Sequence, residues 1–428
     1  MSQEQVKSPQ KRFSTMVSEL KGSEIIRLAG EINDKIKSGQ KIYNFTIGDF
    51  NPNLFPLPDL LKEEIIRAYT NNETNYPAAN GIQALREAVS DYIFDEQGLK
   101  YTPDEFLIAG GARPLIYAAF QALVDAGDKV LFPVPSWNNN HYSHLTHAEA
   151  VMVETRPENN FMPKADDLRP YISEVSMLAL CSPLNPTGTV FNKEDLREIS
   201  ELVLEENLRR SPDRKPLFLL YDQIYWMLTY GDTKHYDPVS LVPALKPYTI
   251  YIDGISKSFS ATGVRVGWAF GPDDIIGKMR SILGHIGAWS PKAEQVATSK
   301  YLENRKQVKV DLEILKSRLN KRLDSLHESF QKLKEQGFPV DSIAPAGAIY
   351  LTVKFDLLGK ITDDGKEISS SAEVTSYLLN DAGLAIVPFY AFGASNDSTW
   401  FRLSVGTLVS DEISLVMDAI KRSIQKLH

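Results

Sequence analysis

The chain has 428 residues, 43% of them hydrophobic and 24% charged, with a formal net charge of −8; this is ordinary globular composition and length enough for two domains. An acidic balance with no basic stripe argues against a nucleic-acid partner, and a single cysteine, Cys181, cannot form an internal disulfide or a multi-cysteine metal site. No secretory signal and no bilayer-length apolar run is visible, so a cytoplasmic soluble protein without a membrane partner is expected.

In chain order, the first twenty or so residues are polar and read as loose until docked. Residues 23–38 predict an amphipathic helix, with Ile25, Ile26, Leu28, Ala29, Ile32 and Ile36 as its apolar positions. A short strand in IYNFTIGDF then runs into a Pro/Asn-rich stretch. Between residues 60 and 299, helical segments alternate with short apolar runs at 106–109, 129–133, 177–181, 217–221 and 248–252, the pattern of parallel strands joined by crossover helices. HYSHLTH sets His141, His144 and His147 three apart, which on a helix sweeps them around the surface instead of converging them, so no metal site is expected. GPDDIIGKM lacks a Ser or Thr after Lys278 and fails as a phosphate loop. Residues 300–337 read as one long helix with a single packed stripe. GAIYLTVKF, LAIVPF and WFRLSV follow as strands of a smaller α+β unit. The implied division is 1–52 as arm and part of the small domain, 53–302 as a large α/β domain, and 303–428 as the small domain, with the N-terminal segment returning to pack beyond residue 301.

Four motifs carry chemistry. In IDGISKSFSATGVRVGW, Lys257 stands among Ser256, Ser258 and Ser260, with Arg265 eight residues on; an imine-forming amine needs burial and nearby cations to be partly neutral. Alone, such a loop reads more often as a solvated turn. SPLNPTG constrains a turn after an apolar run. LFLLYDQIYW places Asp222 and Tyr225 at a strand's C-terminal end, where α/β sheets bind ligands. GGARPLIYAAF is a glycine-rich helix start, a phosphate-binding arrangement.

The ordered set GGAR, PSW, NPTG, DQIY, SKSFSATGVRVGW and FRLS resembles the class I/II aminotransferases of the fold type I pyridoxal-phosphate enzymes, of the aspartate/aromatic kind, from about residue 23 to the C-terminus. The resemblance implies a large domain with a mostly parallel sheet of the seven-stranded type sandwiched by helices, and a smaller α+β domain. It implies a transaminase that uses pyridoxal 5′-phosphate to move an amino group between an L-amino acid and a 2-oxo acid by a ping-pong mechanism. Lys257 would carry the cofactor and shuttle the substrate Cα proton; Asp222 would pair with the ring nitrogen; Tyr225 and Asn185 would hydrogen-bond the ring oxygen. Trp137 would stack on the ring, though a core aromatic is the bland reading. Gly111, Ala112, Ser256 and Arg265 would hold the phosphate. Tyr76, in NYPAANG, resembles a tyrosine that reaches the phosphate of a neighbouring subunit, implying a homodimer with shared sites; an exposed turn residue is its plain alternative. Arg402 would clamp the substrate α-carboxylate, against the alternative of pairing with a surface carboxylate, and Gly48 would let backbone approach that group. One departure is Gly254, where many relatives carry a hydroxyl three before the lysine.

For the substrate side chain, Arg113 stands where several bacterial relatives carry a lysine, and would read aspartate, glutamate or 2-oxoglutarate; its alternative is a solvent-facing helix start. His285 or Ile286 falls where some aspartate aminotransferases contribute an arginine from the partner. Phe389 and Tyr390 replace small residues, which leaves an aromatic substrate open. An acidic amino acid is favoured. The competing readings are a β-lyase or synthase on the same cofactor, and a non-catalytic regulatory relative.

Overall fold

The computed structural model describes residues 12–20, 22 and 24–428. Most of the segment expected to be loose lies outside the described residues. Its remainder holds a short helix, Thr15–Glu19, capped by the Ser14 hydroxyl, and Met16 O lies 2.8 Å from His144 Nε2. The first predicted helix is present as Glu24–Lys37; Ser23, its expected start, is outside the described residues. Leu28 and Ile32 are buried against Leu379 and Ala385, while Ile36 stays exposed. Strand β1 (Tyr43–Asn44) pairs in parallel with Leu384–Ala385, so the N-terminal segment does return to the C-terminal part.

Seven strands form the central sheet: β2 (Phe106–Ala109), β3 (Lys129–Val134), β4 (Glu149–Glu154), β5 (Met177–Cys181), β6 (Phe218–Asp222), β7 (Thr249–Gly254) and β8 (Gly267–Phe270), in the order β2-β8-β7-β6-β5-β3-β4. β8 runs antiparallel to both neighbours and the other pairs are parallel. Alternate side chains feed two cores: Phe106, Ile108, Leu219 and Tyr251 enter one, and Leu107, Leu220, Ile250 and Ile252 the other. Strands apolar on both sides are what a helix-covered parallel sheet demands. The sequence reading passed over β4, an edge strand with exposed glutamates at each end, and β8, only four residues long and embedded in the lysine motif.

The long helix expected over residues 300–337 is two helices, Lys292–Glu303 and Arg305–Glu335. They break at Asn304, whose side chain caps the second by accepting from the Gln307 N–H. Leu315, Leu319, Leu323, Leu326 and Phe330 of the second helix pack on a four-stranded antiparallel sheet built from β9 (Val340–Ser342), β10 (Tyr350–Phe355), β12 (Val387–Pro388) and β13 (Trp400–Ser404), ordered β12-β13-β10-β9. LAIVPF, predicted as one strand, splits at Ile386: β11 (Leu384–Ala385) serves β1 and β12 serves β13. The turns after β5 and β6 meet β10 and β13: Thr352 Oγ1 donates to Thr187 O, Arg402 to Asn185 Oδ1, and the Tyr225 and Tyr350 hydroxyls lie 2.7 Å apart.

Candidate active site

β7 ends at Gly254 and passes into a single helical turn, Ile255–Ser258, before the chain returns as β8. Three glycines make this turn possible. Gly254 is paired with Gly267, and a Cβ on Gly254 would lie 2.8 Å from Gly267 Cα and from Val266 O. A Cβ on Gly267 would lie 2.6 Å from Gly111 C, and one on Gly111 would strike the Arg265 guanidinium. The missing hydroxyl at position 254 thus has a steric cause: no side chain fits between β7 and β8. The serines on either side of the lysine remain; Ser256 is buried, and Ser258 Oγ is fully buried without a hydrogen-bond partner.

Lys257 Nζ donates to Gly48 O at 2.7 Å and lies 5.8 Å from the Tyr225 ring centre and 5.9 Å from that of Phe50. Burial pushes its ammonium down to about 8; Asp49 opposes that, and Arg402, Arg113 and Arg265 add to it. The loop is not the solvated turn of the plain reading. Asp49, which the sequence reading passed over, is fixed by accepting from Thr262 Oγ1 at 2.6 Å and from the Phe50 N–H.

Two carboxyls end neighbouring strands, on opposite faces of the sheet. Asp222 ends β6, in register with Cys181 and Ile252, and accepts from the Ile224 N–H at 3.0 Å. Burial raises its carboxyl to about 6 against that one hydrogen bond, and no cation pairs with it among the described residues. Asp253 on β7 is wholly buried, accepts from Trp226 Nε1 at 2.8 Å, and is raised by burial to about 8.

Arg402 sits in β13 with 2% of its surface exposed. Its guanidinium donates to Asn185 Oδ1 at 3.0 Å and to Thr46 O at 2.7 Å, while Nε has no acceptor. It has no carboxylate partner among the described residues, so the surface-pair alternative does not hold. Its Cζ lies 4.6 Å from the Tyr350 ring centre and 5.0 Å from that of Phe392. Tyr350 was not singled out in the sequence; its hydroxyl is 2.7 Å from that of Tyr225, and a Cβ on Gly48 would lie 2.8 Å from it.

At the helix start after β2, the Gly111 N–H is already engaged by Ala109 O at 2.7 Å. The free donors there belong to Ala112 and Arg113, the first positions of the helix Ala112–Leu123, and Gly111 serves to admit Arg265. Arg265 is aimed by donating to Thr262 O at 2.7 Å and Gly110 O at 2.8 Å. Arg113 is exposed and lies 5.3 Å from the ring centre of half-buried Trp137, which packs against Phe392. Tyr76 is not gathered in: it is 81% exposed and stands edge-on to Trp289, beside a cavity of about 400 Å³. His141, His144 and His147 contribute to no metal-binding cluster among the described residues.

The donor set fits pyridoxal phosphate. Among the described residues, three arginines near the partly neutral amine lack anionic partners and Asp222 lacks a cation; phosphate, carboxylate and a protonated ring nitrogen are the complementary charges. Comparison with known proteins agrees. The family model for aminotransferase class I and II matches residues 40–420. A probable aspartate/prephenate aminotransferase of Aquifex aeolicus is 27% identical, over 97% of this chain and 100% of its own. That of Rickettsia felis is 30% identical, over 93% of each. The crystal structure of the aspartate aminotransferase from Rhizobium meliloti superimposes with a TM-score of 0.88 at 26% identity, covering 98% of this chain and 100% of that one.

Proposed function

The chain belongs to the class I and II aminotransferases, and from that premise we propose that Lys257, Asp222 and Tyr225 form its catalytic centre and that an acidic amino acid is its donor. It is a pyridoxal-phosphate-dependent transaminase of fold type I. When bound, the cofactor supplies an aldehyde that condenses with primary amines and a ring that accepts the electron pair left at a substrate carbon.

Lys257 Nζ, partly neutral near pH 8, would take the proton from the substrate Cα and return it two atoms along, to the carbon on the far side of the amino nitrogen. Asp222, sheltered and without a cation of its own, holds a proton on the ring nitrogen. Tyr225 and Asn185 donate to the ring oxygen, and Trp137 covers a ring face. Arg265, Ser256 and the backbone N–H groups of Ala112 and Arg113 hold the phosphate. Arg402 would clamp the α-carboxylate through its planar guanidinium, beside the backbone of Gly48. The observation that carries this reading is Lys257 itself, an amine drawn down by burial and three arginines with one aspartate nearby.

For the side chain, Arg113 has no carboxylate partner among the described residues and stands over Trp137, a position suited to a second carboxylate; relatives named for aspartate point the same way. Tyr76 supports a homodimer: a tyrosine so exposed, with Ile66, Tyr69 and Ile286 also uncovered, fits burial against a second copy whose phosphate it would reach. The division into 1–52, 53–302 and 303–428 belongs to the same proposal, supported by the separate cores of the two sheets. So does a cytoplasmic location, supported by the free thiol of Cys181. Titrating the holoenzyme with a panel of amino acids and following cofactor absorbance tests the donor: aspartate and glutamate should convert it, and Arg113→Ala should selectively weaken both. Equal loss for neutral donors would reject the acidic assignment.

A further inference from the structure

Tyr225 and Tyr350 are 125 residues apart in sequence, and their hydroxyls meet at 2.7 Å in a buried space. Neither hydroxyl has another hydrogen-bond partner among the described residues. Two phenols bring two protons, and one hydrogen bond between them uses one; the other is left to point into the site. Which phenol keeps the free proton is a matter of direction, and the surroundings bias it. The Arg402 guanidinium lies over the Tyr350 ring, 4.6 Å from its centre. A cation on the ring face withdraws charge and makes the Tyr350 O–H the better donor; Arg402 correspondingly draws that hydroxyl towards ionisation, against the burial that raises it.

The Tyr350 side chain has little freedom to leave this position. It is 1% exposed on β10, in register with Ser404 of β13. Gly48 packs against its hydroxyl so closely that a Cβ would intrude, and that same Gly48 carbonyl receives Lys257 Nζ. On the backbone side, Gly188 of the NPTG turn abuts the Tyr350 carbonyl in a left-handed conformation at φ 70°, where a Cβ would clash. One residue therefore touches the lysine's anchor, the arginine clamp, the asparagine turn and the second tyrosine.

We propose that Tyr350 is a positioning residue for transamination: its hydroxyl donates to Tyr225, so that the Tyr225 proton is directed at the cofactor ring oxygen, and its ring face holds Arg402 in place for the α-carboxylate. This rests on the reading that Tyr225 faces that oxygen. The two halves separate chemically, because phenylalanine keeps the ring and loses the hydroxyl, whereas leucine loses both.

The test is a pH titration of cofactor absorbance in the holoenzymes of wild type, Tyr350→Phe, Tyr350→Leu and Tyr225→Phe, with succinate affinity measured as a second readout. Tyr350→Phe should raise the spectral pKa by about half to one unit, since a weaker Tyr225 donor stabilises the ring oxygen less. Its succinate Kd and KM should stay within about twofold of wild type. Tyr350→Leu should show the same spectral shift and also weaken succinate binding roughly tenfold. A purely structural role would lower Tm in both variants and move neither readout. An unshifted Tyr350→Phe beside a shifted Tyr225→Phe overturns the proposal for Tyr350 alone. If both are unshifted, the placement of Tyr225 fails, and the role of Tyr350 with it.

Discussion

The two walls of the site are built on opposite principles of charge and the same principle of restraint. Along the ends of β6 and β7, burial drives Asp222 to about 6 and Asp253 to about 8. Across from them, burial drives Lys257 down to about 8 and lowers Arg265 and Arg402 as well. The cations are held by neutral acceptors: Gly48 O, Thr46 O, Asn185 Oδ1, Gly110 O and Thr262 O. The acids are held by neutral donors, the Ile224 and Gly254 N–H groups and Trp226 Nε1. Neutral hydrogen bonds fix direction without cancelling charge. Asp222 and the cations keep their charge available for a ligand, with no hydrogen bond or ion pair joining them among the described residues, whereas Asp253 is buried with its proton on.

That contrast predicts a hierarchy of damage. In the proposed mechanism Lys257→Ala removes the group that moves the proton; turnover should fall by about 10⁴ or more while cofactor still binds without a covalent link, as absorbance after dialysis would show. Near-normal turnover would end the proposed mechanism. Asp222→Ala should cost roughly 10²–10³ in kcat with little change in substrate KM, since the proposed role acts through the ring nitrogen; a loss confined to KM would place Asp222 on the wrong partner. Arg402→Ala reverses the pattern, raising KM for every amino donor by about 10², with Arg402→Lys only partly restoring it because a point charge cannot make a planar two-point contact. Arg113→Ala should cost about tenfold in kcat/KM, for acidic donors only.

The smallest effect concerns Asp253 and is one of stability. Its folded carboxyl, near 8, binds a proton that the unfolded chain, with an ordinary value of about 3.9, has released. Its contribution is therefore whole below about pH 4 and is lost as pH rises to 8. Asp253→Asn escapes that loss, so its Tm should gain on wild type by a few degrees between pH 5 and pH 8, the difference levelling off above that. Melting curves at pH 5, 7 and 9 decide it; a variant that instead loses ground with rising pH would show the carboxylate to be ionised and usefully paired.

Much of this was legible in the sequence, for a reason that particular residues make plain. The strands at 106–109 and 177–181 are continuous apolar runs, and the residues expected at the cofactor lie in short motifs whose spacing is local. What escaped depends on distant segments meeting. Tyr350 gains its role only because β10 arrives opposite the DQIY turn; Asp49 matters because Thr262 catches it. Gly254 looked like a lost hydroxyl until β8 was seen pressed against it. The break at Asn304 was hidden because charged, helix-favouring residues lie on both sides of it, and only a cap marks the join. Gly111 looked like a phosphate donor, but its N–H turns back to Ala109.

The column of Gly111, Gly267 and Gly254 also sets limits on how this protein can be altered. A designer seeking a new substrate has freedom at Arg113, whose side chain meets solvent. The column offers none: alanine at any of the three must separate strands or displace Arg265. A deep mutational scan would show these as positions of intolerance beside the chemistry, easily mistaken for catalytic residues, when all they do is let three stretches of chain touch.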